Sequence, residues 1–253
     1  MEQSNKGTYL IAGAIILAGL LIGFGVYFGN SDIKTETDPS DISNNQEIKL
    51  NPITKDDHIL GNPNADVIVV EFSDTECPFC KTFHQTMNKI IENYGKNGRV
   101  AWVYRHFPLT SLHTKAVEEA NATECAYELG GNEGFWSYIN KVYEITPSND
   151  GLDLEKLPEI AVELGFDKVK FEECQKNQKF IKKIMLNYDD AIASGGNGTP
   201  HNILLTKNND MFQVDGALPY EMMRSVIDIV LKSVDEKQDF ETTNNAIKLI
   251  IGR

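Results

Sequence analysis

The stretch Asp66-Val67-Ile68-Val69-Val70-Glu71-Phe72-Ser73-Asp74-Thr75-Glu76-Cys77-Pro78-Phe79-Cys80 decides how this chain is read. Its first half is apolar and β-branched, the pattern of a buried strand. Its last four residues are a C-x-x-C pair, which can cycle between dithiol and disulfide, supply half of a zinc site, or sit unused. The residues that follow bear on that choice. Phe79, Phe83, Met87, Ile90 and Tyr94 recur at helical spacing and paint one face of a helix. The pair therefore stands where a strand ends and a helix begins, with Pro78 tolerated in the first turn. Unpaired amides and the positive end of the helix dipole favour a thiolate there, so Cys77 is expected to have a lowered pKa. Cys80, one turn further in, is expected to be more shielded.

Working outward, Arg99-Val100-Ala101-Trp102-Val103-Tyr104-Arg105 reads as a second buried strand, which makes a strand–helix–strand unit with a parallel pair. Residues 112–194 are helical in character. One helix carries Ala116, Ala120, Ala122 and Cys125 and stops at Gly130-Gly131; a second carries Phe135, Trp136, Ile139 and Val142. A third runs over 153–164, and a last one shows Ile181, Ile184, Tyr188 and Ile192. Ile203–Thr206 and Met211–Val214 then read as a hairpin, followed by a closing helix from Pro219 to Val234. Asp57–Pro63 reads as a turn-rich lead into the first strand. Residues 236–253 form a C-terminal tail to which no element is assigned.

The chain has 253 residues and a net charge of −13, which argues against a nucleic-acid partner because a phosphate backbone would be repelled. Tyr9 to Phe28 contains no charged residue, and a helix of that length spans roughly 30 Å, enough for a bilayer. The run is long for a signal peptide and Val26-Tyr27-Phe28-Gly29-Asn30 is a poor cleavage site, so residues 9–29 are expected to be an uncleaved transmembrane anchor. Lys6 lies on the short side, whereas Asp32, Glu36 and Asp38 outweigh Lys34 on the long side. Residues 1–8 are then a cytoplasmic tail and the large domain is extracytoplasmic, a compartment that suits a disulfide-forming pair. Residues 30–57 are polar and without apolar periodicity, the composition of a flexible linker.

Gly61-Asn62-Pro63, Glu71-Phe72-Ser73-Asp74, Cys77-Pro78-Phe79-Cys80, Arg105-His106-Phe107-Pro108-Leu109 and Gly198-Thr199-Pro200 occur in an order and spacing that resemble the DsbA-like thiol–disulfide oxidoreductases of the thioredoxin superfamily, especially membrane-anchored bacterial forms. The resemblance spans roughly Asp57 to Val234. It implies an α/β chain, with a thioredoxin fold over 58–111 and 195–235 and a helical insertion over 112–194, preceded by the single transmembrane helix. Cys77 would be the nucleophilic, substrate-facing thiol and Cys80 its resolving partner. Pro200 would be cis and face the pair, and Thr199 would offer backbone hydrogen bonds to an extended client. Glu71 is a carboxylate in an apolar run, and the family has an acidic residue at the matching place; burial would raise its pKa and let it shuttle protons for Cys80. Phe79 stands where strongly oxidising relatives have a polar residue, so a pair oxidising to a lesser degree is expected.

Some relatives carry a bridge in the helical insertion, and the resemblance implies one between Cys125 and Cys174; from the residues alone, two buried free cysteines fit as well. His84 reads as an exposed helix residue. His58, His106, His113 and His201 show no ligand spacing, so no metal site is expected, and no cofactor either, because the cysteines carry the electrons. His201 departs from the small or apolar residue expected beside Pro200; contact with the client or with Cys77 is the less favoured of its readings. The implied function is disulfide insertion into exported proteins by a monomer, reoxidised by a membrane quinone-linked partner of the DsbB-like or VKOR-like kind. The alternatives are a reductase or isomerase of the same fold, or a redox-inactive client-binding module.

Overall fold

Every residue of Val67–Ser73 (β2) is buried, because packed chain covers both faces of the sheet it runs through. The structure, a computed structural model, describes residues 48–252; the stretch 9–29 and most of the expected linker lie outside the described residues. β2 pairs in parallel with Val100–His106 (β3) and antiparallel with His201–Thr206 (β4). His58–Gly61 (β1) flanks β3 and Met211–Gln213 (β5) flanks β4, both antiparallel, so the order is β1-β3-β2-β4-β5. The helices are Pro78–Ile90 (α1), Ala116–Ile145 (α2), Lys156–Glu163 (α3), Lys168–Asn177 (α4), Ile181–Ala193 (α5), Tyr220–Glu236 (α6) and Phe240–Ile251 (α7). α1 and a π-type turn at Ile91–Gly95 form the crossover that the parallel β2–β3 pair requires. Among the described residues no helix is long and apolar enough to cross a membrane.

Side chains alternate across a strand, and this sorts β2 and β3 into two cores. Val67 and Val69 join Val100, Trp102 and Tyr104 under Phe83, Met87 and Ile90 of α1 and Met223, Val226 and Val230 of α6. Ile68, Val70 and Phe72 join Ala101 and Val103 on the opposite face, where Ala191 of α5 packs. The same alternation turns Glu71 toward the α1 side and Arg105 away from it. A third core fills the helical insertion, where Tyr138 and Val142 of α2 meet Leu157 and Ile160 of α3 and Phe171 of α4. A Cys125–Cys174 disulfide joins α2 to α4 there. α2 bends at Gly131, whose φ of 63° and ψ of −157° suit glycine; the stop read at Gly130-Gly131 is this kink.

Four expectations are corrected. The tail at 236–253, to which the sequence assigns no element, carries α7: this helix is capped by the Asp239 carboxylate, which accepts from Thr242 N at 2.9 Å, and it stacks Phe240 on Phe212 at 5.0 Å between ring centroids and buries Ile247 in the first core. The turn-rich lead at 58–61 is strand β1, too short to show alternation. The linker does not run to residue 57, because Ile48, Leu50 and Ile53 pack on the second core and Asn51 N donates to Asp190 Oδ1 at 2.8 Å. Phe79, counted in the apolar face of α1, is 65 % exposed; burial along that helix starts at Cys80.

Candidate functional site

Cys77 is the N-cap of α1, in extended backbone, and Cys80 lies inside the first turn. Both are thiols in the structure. Their surroundings differ. Cys77 Sγ faces the carbonyl of Thr199 at 3.5 Å, across the cis Thr199–Pro200 bond that leads into β4. Cys80 is fully buried and its sulfur accepts from Asp74 N at 3.5 Å. The Cys80 thiol directs its proton to Cys77 and pulls the Cys77 pKa down to about 6; burial opposes this, and the backbone N–H groups of Cys80 and Phe79 assist. Phe79 thus contributes through its amide what its ring cannot. Burial drives the Cys80 pKa well above the ordinary thiol value, and the neighbouring Cys77 adds to the rise.

Beneath the pair, Glu71 is completely buried. Ser73 Oγ donates to Glu71 Oε1 at 2.6 Å and Trp102 Nε1 donates to Oε2 at 2.9 Å. The Tyr143 hydroxyl stands 3.0 Å from Ser73 Oγ and 3.3 Å from the Tyr104 hydroxyl. Burial outweighs the two donated bonds and pushes the Glu71 pKa up to about 8, with the charge on Cys77 acting in the same direction. The raised pKa favours the protonated form of Glu71 near neutral pH, beside the hydroxyl groups of Ser73, Tyr143 and Tyr104.

Further ionisable side chains surround the pair. Asp74 is buried, accepts from Leu109 N at 2.7 Å and pairs with His113 Nδ1 at 2.9 Å. Burial raises the Asp74 pKa, and burial tends to lower His113, but the Asp74 carboxylate reverses this and raises it. Glu76, next to Cys77, is buried beside Glu119, whose pKa burial and the Glu76 carboxyl push to about 10. His84 is not exposed. It lies 2 % exposed between Trp102 and Tyr143, with Nε2 2.6 Å from Asn140 Oδ1, because the second half of α2 covers that face of α1. His201 does not reach Cys77: its ring is buried, Nδ1 2.6 Å from Asp215 Oδ1 and Nε2 3.0 Å from Ser194 Oγ. Metal-ligating side chains converge elsewhere, at His58, His106 and Glu124, where sequence separations of 66 and 18 hide the cluster.

A family model described as Thioredoxin matches residues 53–229. Sodium/proton antiporters named NhaA 1 from Mycolicibacterium gilvum and Mycolicibacterium vanbaalenii are 30 % and 29 % identical over 154 residues, 60 % of this chain. The chain spans about a quarter of the length of these curated relatives, 24 % in each case. Among solved structures, DsbA2 of Pseudomonas aeruginosa matches with a TM-score of 0.59 at 26 % identity, over 72 % of this chain and 98 % of that one. Alpha-DsbA1 of Wolbachia pipientis (TM-score 0.63, 23 % identity, 74 % and 96 % covered) and oxidised BdbD of Bacillus subtilis (0.63, 21 %, 73 % and 98 %) share the fold. The intact Cys77-Pro78-Phe79-Cys80 pair stands on a fold similar to that of the DsbA proteins, and the chain belongs to the thioredoxin family.

Proposed function

We propose that the protein is an oxidase that introduces disulfides into exported proteins from the extracytoplasmic side of a membrane, held there by residues 9–29. The observation that carries this reading is the asymmetry of the two thiols, Cys77 low and facing the Thr199 carbonyl, Cys80 high and fully buried. A stabilised Cys77 thiolate is a good leaving group, so the Cys77–Cys80 disulfide is the less stable partner and is given away readily. In the forward reaction a client thiolate attacks Cys77 Sγ, the Cys77–Cys80 bond breaks, and the electron pair leaves on Cys80. A second client thiolate then attacks the client sulfur of the mixed disulfide and releases Cys77 as thiolate. The client loses two electrons and the pair gains them.

In this reading Thr199 and Pro200 support an extended client beside Cys77, with Phe79 exposed alongside, and Glu71 gives a proton to Cys80 as that sulfur leaves. A membrane quinone-linked partner, DsbB-like or VKOR-like, takes the two electrons back. The Cys125–Cys174 bridge plays no part in exchange and staples the insertion. The test is equilibration of the full chain against glutathione, with Cys77→Ser as control. A reduction potential above about −150 mV is expected of an oxidase. One below about −230 mV would make the protein a reductase, and no reversible Cys77–Cys80 bond would leave a client-binding module.

A further inference from the structure

Away from the cysteines, three side chains from three separate elements converge in the interior. His58 of β1, His106 at the end of β3 and Glu124 of α2 place their donor atoms within 4.8 Å of one another, and none of the three is more than 1 % exposed. Glu124 Oε1 lies 2.8 Å from His58 Nε2 and 3.1 Å from His106 Nε2. Lys183 of α5 closes the group, with Nζ 2.8 Å from Glu124 Oε2 and 3.0 Å from His58 Nε2.

These contacts conflict at His58. A ring nitrogen carries either a proton or a lone pair. With a proton, Nε2 donates to Glu124 but turns the same N–H toward the Lys183 ammonium. With a lone pair, it accepts from Lys183 but faces a carboxylate oxygen with no proton between them. The other nitrogen, Nδ1, is buried without a hydrogen-bond partner, so neither tautomer satisfies the ring. A divalent cation among the three donors uses every facing lone pair at once. Two imidazoles and a carboxylate suit zinc and its neighbours in the first transition row. Lys183 already supplies one positive charge there, on a flexible stem with 27 % of its side chain exposed, against 1 % or less for His58 and Glu124. It can swing to solvent and open a coordination position.

We propose that His58, His106 and Glu124 form a binding site for a divalent transition-metal ion, which enters by displacing the Lys183 ammonium. Bound metal would tie β1 and β3 of the sheet to α2 of the insertion, and so stabilise the fold without touching Cys77. His58 Nδ1 lacks the acceptor that usually orients a ligating histidine, a defect worth roughly 10–100-fold in affinity, so binding is expected to be moderate.

The experiment titrates the oxidised full chain with Co(II); with Cys77–Cys80 closed, no thiolate competes. Visible d–d bands saturating at one equivalent are expected, without a sulfur-to-metal charge-transfer band, together with a rise in Tm on adding Zn(II). Lys183→Met removes the competing charge and should tighten Co(II) binding by at least about tenfold, and His106→Gln should abolish the bands. No bands in either the wild type or Lys183→Met at millimolar Co(II), or bands that persist unchanged in His106→Gln, would overturn the proposal. If His106→Gln does not fold, the comparison of wild type with Lys183→Met decides: equal affinity in the two overturns it.

Discussion

Glu71 keeps its proton up to about pH 8 in the folded protein because burial outweighs the bonds from Ser73 and Trp102, whereas its ordinary value is 4.5. Between these two values the unfolded chain has released a proton that the folded chain retains, so stability falls as pH rises through that window. Glu71→Gln removes the effect. The variant should be more stable than wild type at pH 7, by on the order of a few kcal/mol, with a flatter profile between about pH 5 and 8. Urea unfolding at several pH values measures this. If Glu71 gives its proton to Cys80 as proposed, exchange of the same variant with a dithiol peptide should slow by about 100-fold. Greater stability with an unchanged rate would leave Glu71 a structural residue. Glu71 was legible because one carboxylate stands in an apolar run. Trp102 and Tyr143 were not, since Trp102 meets it only across strands and Tyr143 reaches it from α2 through Ser73. His84 was misplaced for a related reason: α1 is covered on more sides than its apolar face alone indicates.

At the scale of elements, β2, α1, β3, the β4–β5 hairpin and α6 were legible because long apolar patterns, turn residues and glycine stops all agree there. α7 was not. Its half-buried Phe240 and its buried Thr243 and Ile247 do recur at helical spacing. They are interleaved with Glu241, Thr242, Asn244 and Asn245, and only the partner surface of Phe212 and α6 gives that face meaning. Ile247 is 1 % exposed and Leu249 is 84 % exposed on the same helix. Ile247→Ala should therefore cost about 2–4 kcal/mol, while Leu249→Ala stays within about 0.5 kcal/mol. Guanidinium unfolding midpoints decide between them, and equal small effects would mean that α7 leaves the core in solution. β1 escaped notice because four residues are too few for alternation to register.

Across the whole molecule, Arg105 joins parts that are distant in the chain. Its guanidinium donates to Asp190 at 2.6 Å, to Asp57 at 2.8 and 3.1 Å, and to the carbonyls of Asn51 and Pro52 at 3.1 and 3.2 Å. Arg105 and Asp190 are each 3 % exposed, so the cluster holds the segment before β1 onto β3 and α5. A fragment starting at residue 58 keeps Asp190 but loses the other acceptors. Leaving a buried charge without its partners costs about 3–5 kcal/mol. A fragment starting at 48 should therefore melt well above one starting at 58, and equal Tm values would show the segment to be dispensable. None of this was visible in the polar composition of residues 30–57, because a clamp made by one arginine leaves no periodic trace.

The unequal ionisation of Cys77 and Cys80 also sets how many protons accompany the electrons. Below about pH 6, opening the disulfide yields two thiols and takes up two protons; above it, only Cys80 is protonated. One proton per two electrons corresponds to about 30 mV per pH unit. The potential should thus fall by about 60 mV per unit in acid and by about 30 mV per unit above about pH 6. Glutathione equilibria at a series of pH values would show the break, and an unbroken steep line through neutrality would mean that Cys77 stays protonated. Ordinary client thiols keep the steep slope up to about pH 8.5. The equilibrium for handing a disulfide to a client therefore grows about tenfold for each unit of alkalinity across the neutral range.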